Sequence, residues 1–302
     1  MVLEHYLDRL PSRWRTTMRP ESSRWRWRDH DVHVATAGAV DAETRVVVLH
    51  GAGGNSSALW PYAGLLAEHY DARVVVPDLP GYGHTRVPDR SGVRYGHWIA
   101  CVGDLLREQR RDHDGPLVVV GASMGGMLAY DVATRTGVAD HVVATCLLDP
   151  RDPAARAHIG QWAWQGRLAR PALRIAAGPW ARTPVPLRWL TNMRAIANDP
   201  ELVRLVLHDR RGGGTRLPLG FVRSYLDSAP AVEPEAADGC TLVLAHPADD
   251  RWTPMEVSLR FFRRLAVDAE LVPLTGAGHF PVEEPAVGQL LDVFARWLRP
   301  RA

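Results

Sequence analysis

The chain has 302 residues, of which 46% are apolar and 23% charged, the balance of a folded globular protein rather than a disordered or fibrous one. A formal net charge of +2 supplies no field that would draw nucleic acid, and no apolar run approaches the roughly 18 residues that a spanning helix needs. All 36 basic residues are arginine. The absence of lysine excludes Schiff-base chemistry, a Walker-type phosphate loop and a Ser-Lys catalytic pair.

The N-terminal Met1–His5 lacks a basic-then-apolar signal pattern, so the expectation is a cytoplasmic protein with no integral membrane segment. Cys101, Cys146 and Cys240 are far apart, odd in number and without metal-ligand spacing. A disulfide framework is therefore not expected. Cys146 and Cys240 lie in or beside apolar runs and read as buried thiols.

The first 30 residues are rich in Arg and Trp. Alternation at Trp25, Trp27, Val32 and Val34 predicts an edge hairpin turning at Asp29-His30-Asp31, rather than a basic aromatic surface for membrane or nucleic acid. β-branched runs follow at Arg45–His50, Arg73–Asp78, Leu117–Gly121 and His141–Asp149, then at Thr241–Ala245 and Glu270–Leu274. Near-continuous apolar strands imply burial on both faces, as in a parallel sheet. Helical stretches separate them at about 57–70, 95–112, 124–136, 254–266 and 284–298. This alternation predicts an α/β fold with a doubly wound, mostly parallel sheet.

The alternation breaks between Asp149 and about Ala229, where the chain is helix-rich and carries Trp162, Trp164, Trp180 and Trp189. Residues 151–226 read as an inserted helical cap, and 1–150 with 227–302 as the core. The cap aromatics, Trp162, Trp164 and Trp189 among them, are candidates to line a substrate cavity, with packing between cap helices expected for most. Gly212-Gly213-Gly214 reads as a flexible connection.

Gly121-Ala122-Ser123-Met124-Gly125 joins an apolar strand to an Ala/Leu/Met helix. Glycines on either side permit a tight turn that presents the Ser123 hydroxyl in a strained, exposed position. A serine hydroxyl needs a base, and the base an orienting acid. His279, in a glycine-rich loop after the last predicted strand, is the candidate base. Asp250 is the candidate acid after the strand before it, with Asp249 a turn residue and Asp149 a second possibility better read as a turn initiator. An oxyanion hole needs two backbone N–H groups. Met124 supplies one, and Ala52 in His50-Gly51-Ala52-Gly53-Gly54 the other; His50 is expected to structure that loop.

These segments, together with Asp78–Thr85 and Asp249–Pro254, resemble the α/β-hydrolase superfamily over nearly the whole chain. The Gly-x-Ser-Met-Gly-Gly elbow and the helical insertion are most similar to monoacylglycerol lipase and lysophospholipase-like esterases. The resemblance places the family's acid on Asp250, four residues before Pro254, and implies an α/β-hydrolase fold. His246-Pro247 and His84-Thr85 depart from the family pattern where loops could shape the pocket. The expected activity is hydrolysis of a small-molecule carboxylic ester with a hydrophobic acyl or alkyl group, through an acyl-enzyme, with no metal or cofactor. A thioesterase, amidase, carbon–carbon hydrolase or polyketide-tailoring cyclase would use the same residues, and a non-catalytic receptor could share the fold. The oligomeric state is not assigned.

Overall fold

Valine-rich runs can bury both faces only inside a sheet covered on each side, and the chain uses them in this way. The computed structural model describes residues 2–299 apart from 166–167, 169–171, 174–177 and 179. Strands β1 (Glu21–Trp27), β2 (His30–Ala37), β3 (Thr44–Leu49), β4 (Ala72–Pro77), β5 (Leu117–Gly121) and β6 (His141–Ala144) are followed by a short pair, β7 (Pro184–Pro186) and β8 (Arg216–Pro218). β9 (Thr241–Pro247) and β10 (Ala269–Leu274) complete the set. Among the described residues, eight of these form one sheet in the order β1-β2-β4-β3-β5-β6-β9-β10. β2 pairs antiparallel with both β1 and β4, and all other neighbours in the sheet are parallel.

The helices that can be bounded among the described residues are α1 (Val2–Leu7), α2 (Ser56–His69), α3 (Tyr95–Arg111), α4 (Met124–Thr136) and α5 (Pro153–Ile159), then α6 (Leu187–Leu190), α7 (Pro200–His208), α8 (Leu219–Leu226), α9 (Met255–Phe262) and α10 (Ala286–Phe294). α2 and α10 meet where the Tyr70 hydroxyl donates to the Leu291 carbonyl, while α3 packs on α4. The doubly wound reading is thus borne out, with helix ends within a few residues of those expected.

The Arg/Trp-rich start is an edge hairpin with Trp25 opposite Val32 and Trp27 opposite His30. Its turn is tighter than expected and falls at Arg28-Asp29, with Arg28 at φ 53°. The tryptophans fasten the hairpin to α3: Trp27 Nε1 donates to Asp104 (2.9 Å) and Trp25 Nε1 to Glu108 (3.1 Å). The edge strand is therefore covered by specific contacts rather than left as a pairing template. Helix α1 is too short to carry a periodic signal, and it packs on α2 by burying Tyr6 and Leu7. Strand β6 stops at Ala144, well before the expected Asp149. Thr145 bends, its amide still donating to the Gly121 carbonyl while its hydroxyl accepts the Ser123 amide, and the Leu147 amide donates to the Ser258 hydroxyl.

Among the described residues between β6 and β9 short helices predominate, with the β7–β8 ribbon as an unforeseen addition. The tryptophans there do not pack between helices: Trp162, Trp164, Trp180 and Trp189 are each 60–64% exposed. Trp189 shows why. It lies two positions after Leu187, which is 1% exposed, and two helical steps of about 100° put it on the opposite face.

The three glycines at 212–214 form a fixed turn, contrary to the flexible connection expected. Gly212 and Gly214 amides both donate to the Asp209 carbonyl, and Thr215 N–H donates to Gly212. A Cβ on Gly212 would stand 2.7 Å from the Gly53 carbonyl oxygen, so glycine is needed for close approach to the loop after β3. Asn55 closes the contact. Its Oδ1 accepts the Ala58 amide as the N-cap of α2, and its Nδ2 donates to buried Asp209 at 2.7 Å. Asp209 also accepts the Tyr6 hydroxyl at 3.2 Å.

Asn55→Asp keeps the helix cap but sets a second carboxylate against Asp209. It is expected to destabilise the fold by about 2 kcal/mol or more in urea unfolding, with Asp209→Asn in the same chain recovering much of the loss.

Candidate active site

The sequence around Ser123 forces a strand to become a helix within two residues. Ser123 adopts φ 55°, ψ −124°, one of two non-glycine positive-φ residues among those described. At Gly121 a Cβ would lie 2.1 Å from the Gly125 carbonyl oxygen, so the turn cannot close with a side chain there. The strain is held by surrounding bonds. Ser123 N–H donates to Thr145 Oγ1 (2.9 Å), and the Gly126 amide donates to the Ser123 carbonyl (2.8 Å).

His279 comes to the elbow from the loop after β10, and Asp250 from the loop after β9. The Ser123 hydroxyl donates to His279 Nε2 at 2.8 Å, and His279 Nδ1–H donates to Asp250 Oδ2 at 2.7 Å. A carboxylate facing Nδ1 fixes the proton there and leaves Nε2 as an acceptor. Asp250 is fixed in turn. Its Oδ1 accepts the Trp252 and Thr253 amides, and its Oδ2 accepts the Thr253 hydroxyl at 2.8 Å. Asp249 is exposed, and its amide closes the loop by donating to the Ala277 carbonyl. Asp149 pairs with Arg151 and takes no part.

Burial opposes charge on both partners, yet each favours the other. Desolvation would raise Asp250, but His279 and the Thr253 donors bring it below the usual carboxylate range. Desolvation would lower His279, but the Asp250 carboxylate, aided by the Cys146 sulfur, raises it above the usual imidazole range. Trp252 lies against the His279 ring, centroids 4.7 Å apart, and its Nε1 donates to the His158 carbonyl at the end of α5.

The Ala52 and Met124 amides donate to no acceptor among the described residues. Their loops touch, since a Cβ on Gly51 would meet Met124 N at 3.0 Å. His50 organises the loop as expected: its Nδ1–H donates to the Gly51 carbonyl and its Nε2 accepts the Leu79 amide. Two apolar cavities open on Ser123. One, of about 80 Å³, runs past His279 and Phe280 to Leu59, Tyr62, Leu66 and Phe294. The other, of about 310 Å³, is walled by Leu148, Leu187, Leu217, Phe221 and Tyr225, with Trp164 at its border. Trp162 and Trp189 are not among its described lining residues, and His84, Thr85 and His246 line neither cavity.

The expected five site residues thus converge. Thr145 and Thr253 were not anticipated, because a lone threonine after a strand carries no sequence signal until its partner is placed. Cys146 was expected to be a buried thiol. It is, but it lies 4.0 Å from His279 Nδ1. Cys240 is only half-buried, and all three cysteines are free.

A serine–histidine–aspartate arrangement built on the ends of a doubly wound sheet belongs to the α/β-hydrolase class of architecture. Residues 46–288 match the alpha/beta hydrolase family, and the chain belongs to that family. It is 27% identical over 283 residues to Lipase LipV of Mycobacterium tuberculosis, covering 90% of this chain and 99% of that protein. It is 32% identical over 114 residues to a probable protein phosphatase methylesterase 1 of Caenorhabditis elegans, covering 37% of this chain and 31% of the relative. The chain thus spans about a third or less of the length of the methylesterases it matches. The monoacylglycerol lipase of Paleococcus ferrophilus has the same fold at 20% identity and a TM-score of 0.67, covering 88% of this chain and 97% of that one. No helix among the described residues is long and apolar enough to cross a membrane.

Only neutral His279 can accept a proton, so reactivity of Ser123 should rise with pH through the raised His279 pKa. Asp250→Asn removes the charge that raises it. The midpoint of the pH–reactivity profile, read by phosphonate labelling, should move to lower pH while the maximal rate falls by about 10³–10⁴.

Proposed function

We propose that the protein is a serine hydrolase that cleaves carboxylic esters with a hydrophobic acyl or alkyl group through an acyl-enzyme. The observation that carries this reading is the unbroken chain from Ser123 Oγ through His279 to Asp250 beside two unpaired amides. In it, His279 Nε2 takes the Ser123 proton as Oγ attacks the ester carbonyl. The Ala52 and Met124 N–H groups receive the oxyanion, and Asp250 stabilises the imidazolium. His279 then returns its proton to the leaving alcohol, and afterwards deprotonates the water that releases the acid.

The apolar walls of both cavities support hydrophobic groups on either side of the ester. Residues 151–226 serve as the cap, because they supply most of the larger cavity's wall, with α8 contributing Leu219, Phe221, Val222, Tyr225 and Leu226. Its room favours the longer arm of the substrate there.

A fluorophosphonate probe should label the wild-type protein, fail on Ser123→Ala and react far more slowly with His279→Ala. Absence of labelling in folded wild-type protein would point instead to a binding protein. Among p-nitrophenyl esters of increasing chain length, acyl chains longer than acetate should be preferred. Leu217→Trp, which fills the larger cavity, should lower kcat/KM for the longest esters by about tenfold or more while sparing acetate.

A further inference from the structure

Behind His279, on the side away from Ser123, is a group of donor atoms that the proposed reaction does not use in full. One ligand atom each from Cys146, Asp250 and His279 lie within 4.8 Å of one another, and all three residues are buried. Two separations within it are 2.7 Å from Nδ1 to Oδ2 and 4.0 Å from Nδ1 to Sγ. Four-coordinate zinc, with bonds of about 2.0–2.3 Å, sets its ligand atoms roughly 3.3–3.7 Å apart, so shifts of well under about 1.5 Å would bring these atoms into place. The Thr253 hydroxyl now stands among them, 2.8 Å from Oδ2, 3.1 Å from Nδ1 and 3.5 Å from Sγ. Rotation of that side chain clears the centre.

A second observation points the same way. His246 is 0% exposed, its Nδ1–H is committed to the Pro247 carbonyl, and its Nε2 has no hydrogen-bond partner in the structure. Burial would lower the His246 imidazole, but the neighbouring Cys146 sulfur raises it, so the two side chains lie close together. A buried imidazole nitrogen without a nitrogen or oxygen partner is costly, and it is the atom type a soft or borderline metal takes. One thiolate and one carboxylate would also neutralise a divalent cation, so the occupied site carries no net charge into the interior.

We propose that Cys146, Asp250 and His279, with His246 beside them, form an inhibitory binding site for a thiophilic divalent metal ion such as zinc or cadmium. Binding releases the Cys146 thiol proton to solvent and takes the Nδ1 lone pair of His279. The proton that sat on Nδ1 moves to Nε2, giving the neutral Nε2–H tautomer. His279 then presents a donor to Ser123 and cannot accept its proton. The Asp250 carboxylate is drawn to the metal at the same time. Metal binding is independent of the function proposed above; the loss of turnover rests on it.

The test uses the full chain with zinc and cadmium, with magnesium as a control for hard ions. Cadmium should bind one per chain and give an ultraviolet thiolate-to-metal absorption band. Either ion at micromolar concentration should slow ester turnover at least about tenfold, with recovery on adding EDTA, and magnesium should do neither. Cys146→Ser and Cys146→Ala should lose the band and need about 10–100-fold more metal to halve their own metal-free ester turnover. His246→Gln should weaken binding in the same direction. No cadmium band in the parent protein, or a band that survives Cys146→Ala, overturns the site. A band with undiminished ester turnover overturns the inhibition. If the protein turns over no ester at all, the reaction proposed above fails, while the band still decides the metal site.

Discussion

The turn at Ser123 holds a non-glycine residue at a positive φ, a conformation that costs on the order of 1–3 kcal/mol and persists only where the surroundings over-determine it. The surroundings here are specific. Gly121 admits the carbonyl of Gly125, the Thr145 hydroxyl takes the Ser123 amide, and Gly126 lets α4 press against the chain beyond β6. Just past β6, the Thr145 amide still bonds the Gly121 carbonyl of β5 while its hydroxyl serves the elbow. The helix that starts at Met124 leaves its first amide free beside the serine, so the strain and the unpaired donor arise from one local event.

The second amide depends on a longer route. Ala52 lies in a loop clamped between the elbow below and the glycine turn 212–214 above. Asn55 joins the two, capping α2 with one side of its amide and holding Asp209 with the other. The segment between β6 and β9 therefore does more than cover the cavity. Its geometry reaches the loop after β3 through Gly212 against Gly53, and through Asp209.

Much of this was legible in the sequence, for definite reasons. Val46–Leu49, Val74–Val76 and Val118–Val120 could only be buried strands, and each is followed by glycines or acids that mark a strand end. Ser123, Asp250 and His279 follow from that placement, since chemistry on such a sheet gathers at the strand ends. What the sequence hid were partners defined only in three dimensions. Thr145 and Thr253 act through a single hydroxyl each. Gly212–Gly214 has the composition of a loose linker, and becomes a fixed turn because Asp209 and Gly53 sit against it. Trp189 is apolar by type but falls on a helix face left to solvent, because Leu187 fills the inward face, and Trp162 lies exposed in a bend.

Trp252 has a mechanical consequence. Its ring bears on the His279 imidazole, while its Nε1 is anchored to the His158 carbonyl at the end of α5. The indole is thus a rigid strut with one end on the overlying segment and the other on the His279 imidazole. α5 cannot lift from the core without breaking the Nε1 bond and releasing the indole from the imidazole. The pose of the segment above the cavity and the tilt of the His279 ring are therefore a single degree of freedom rather than two.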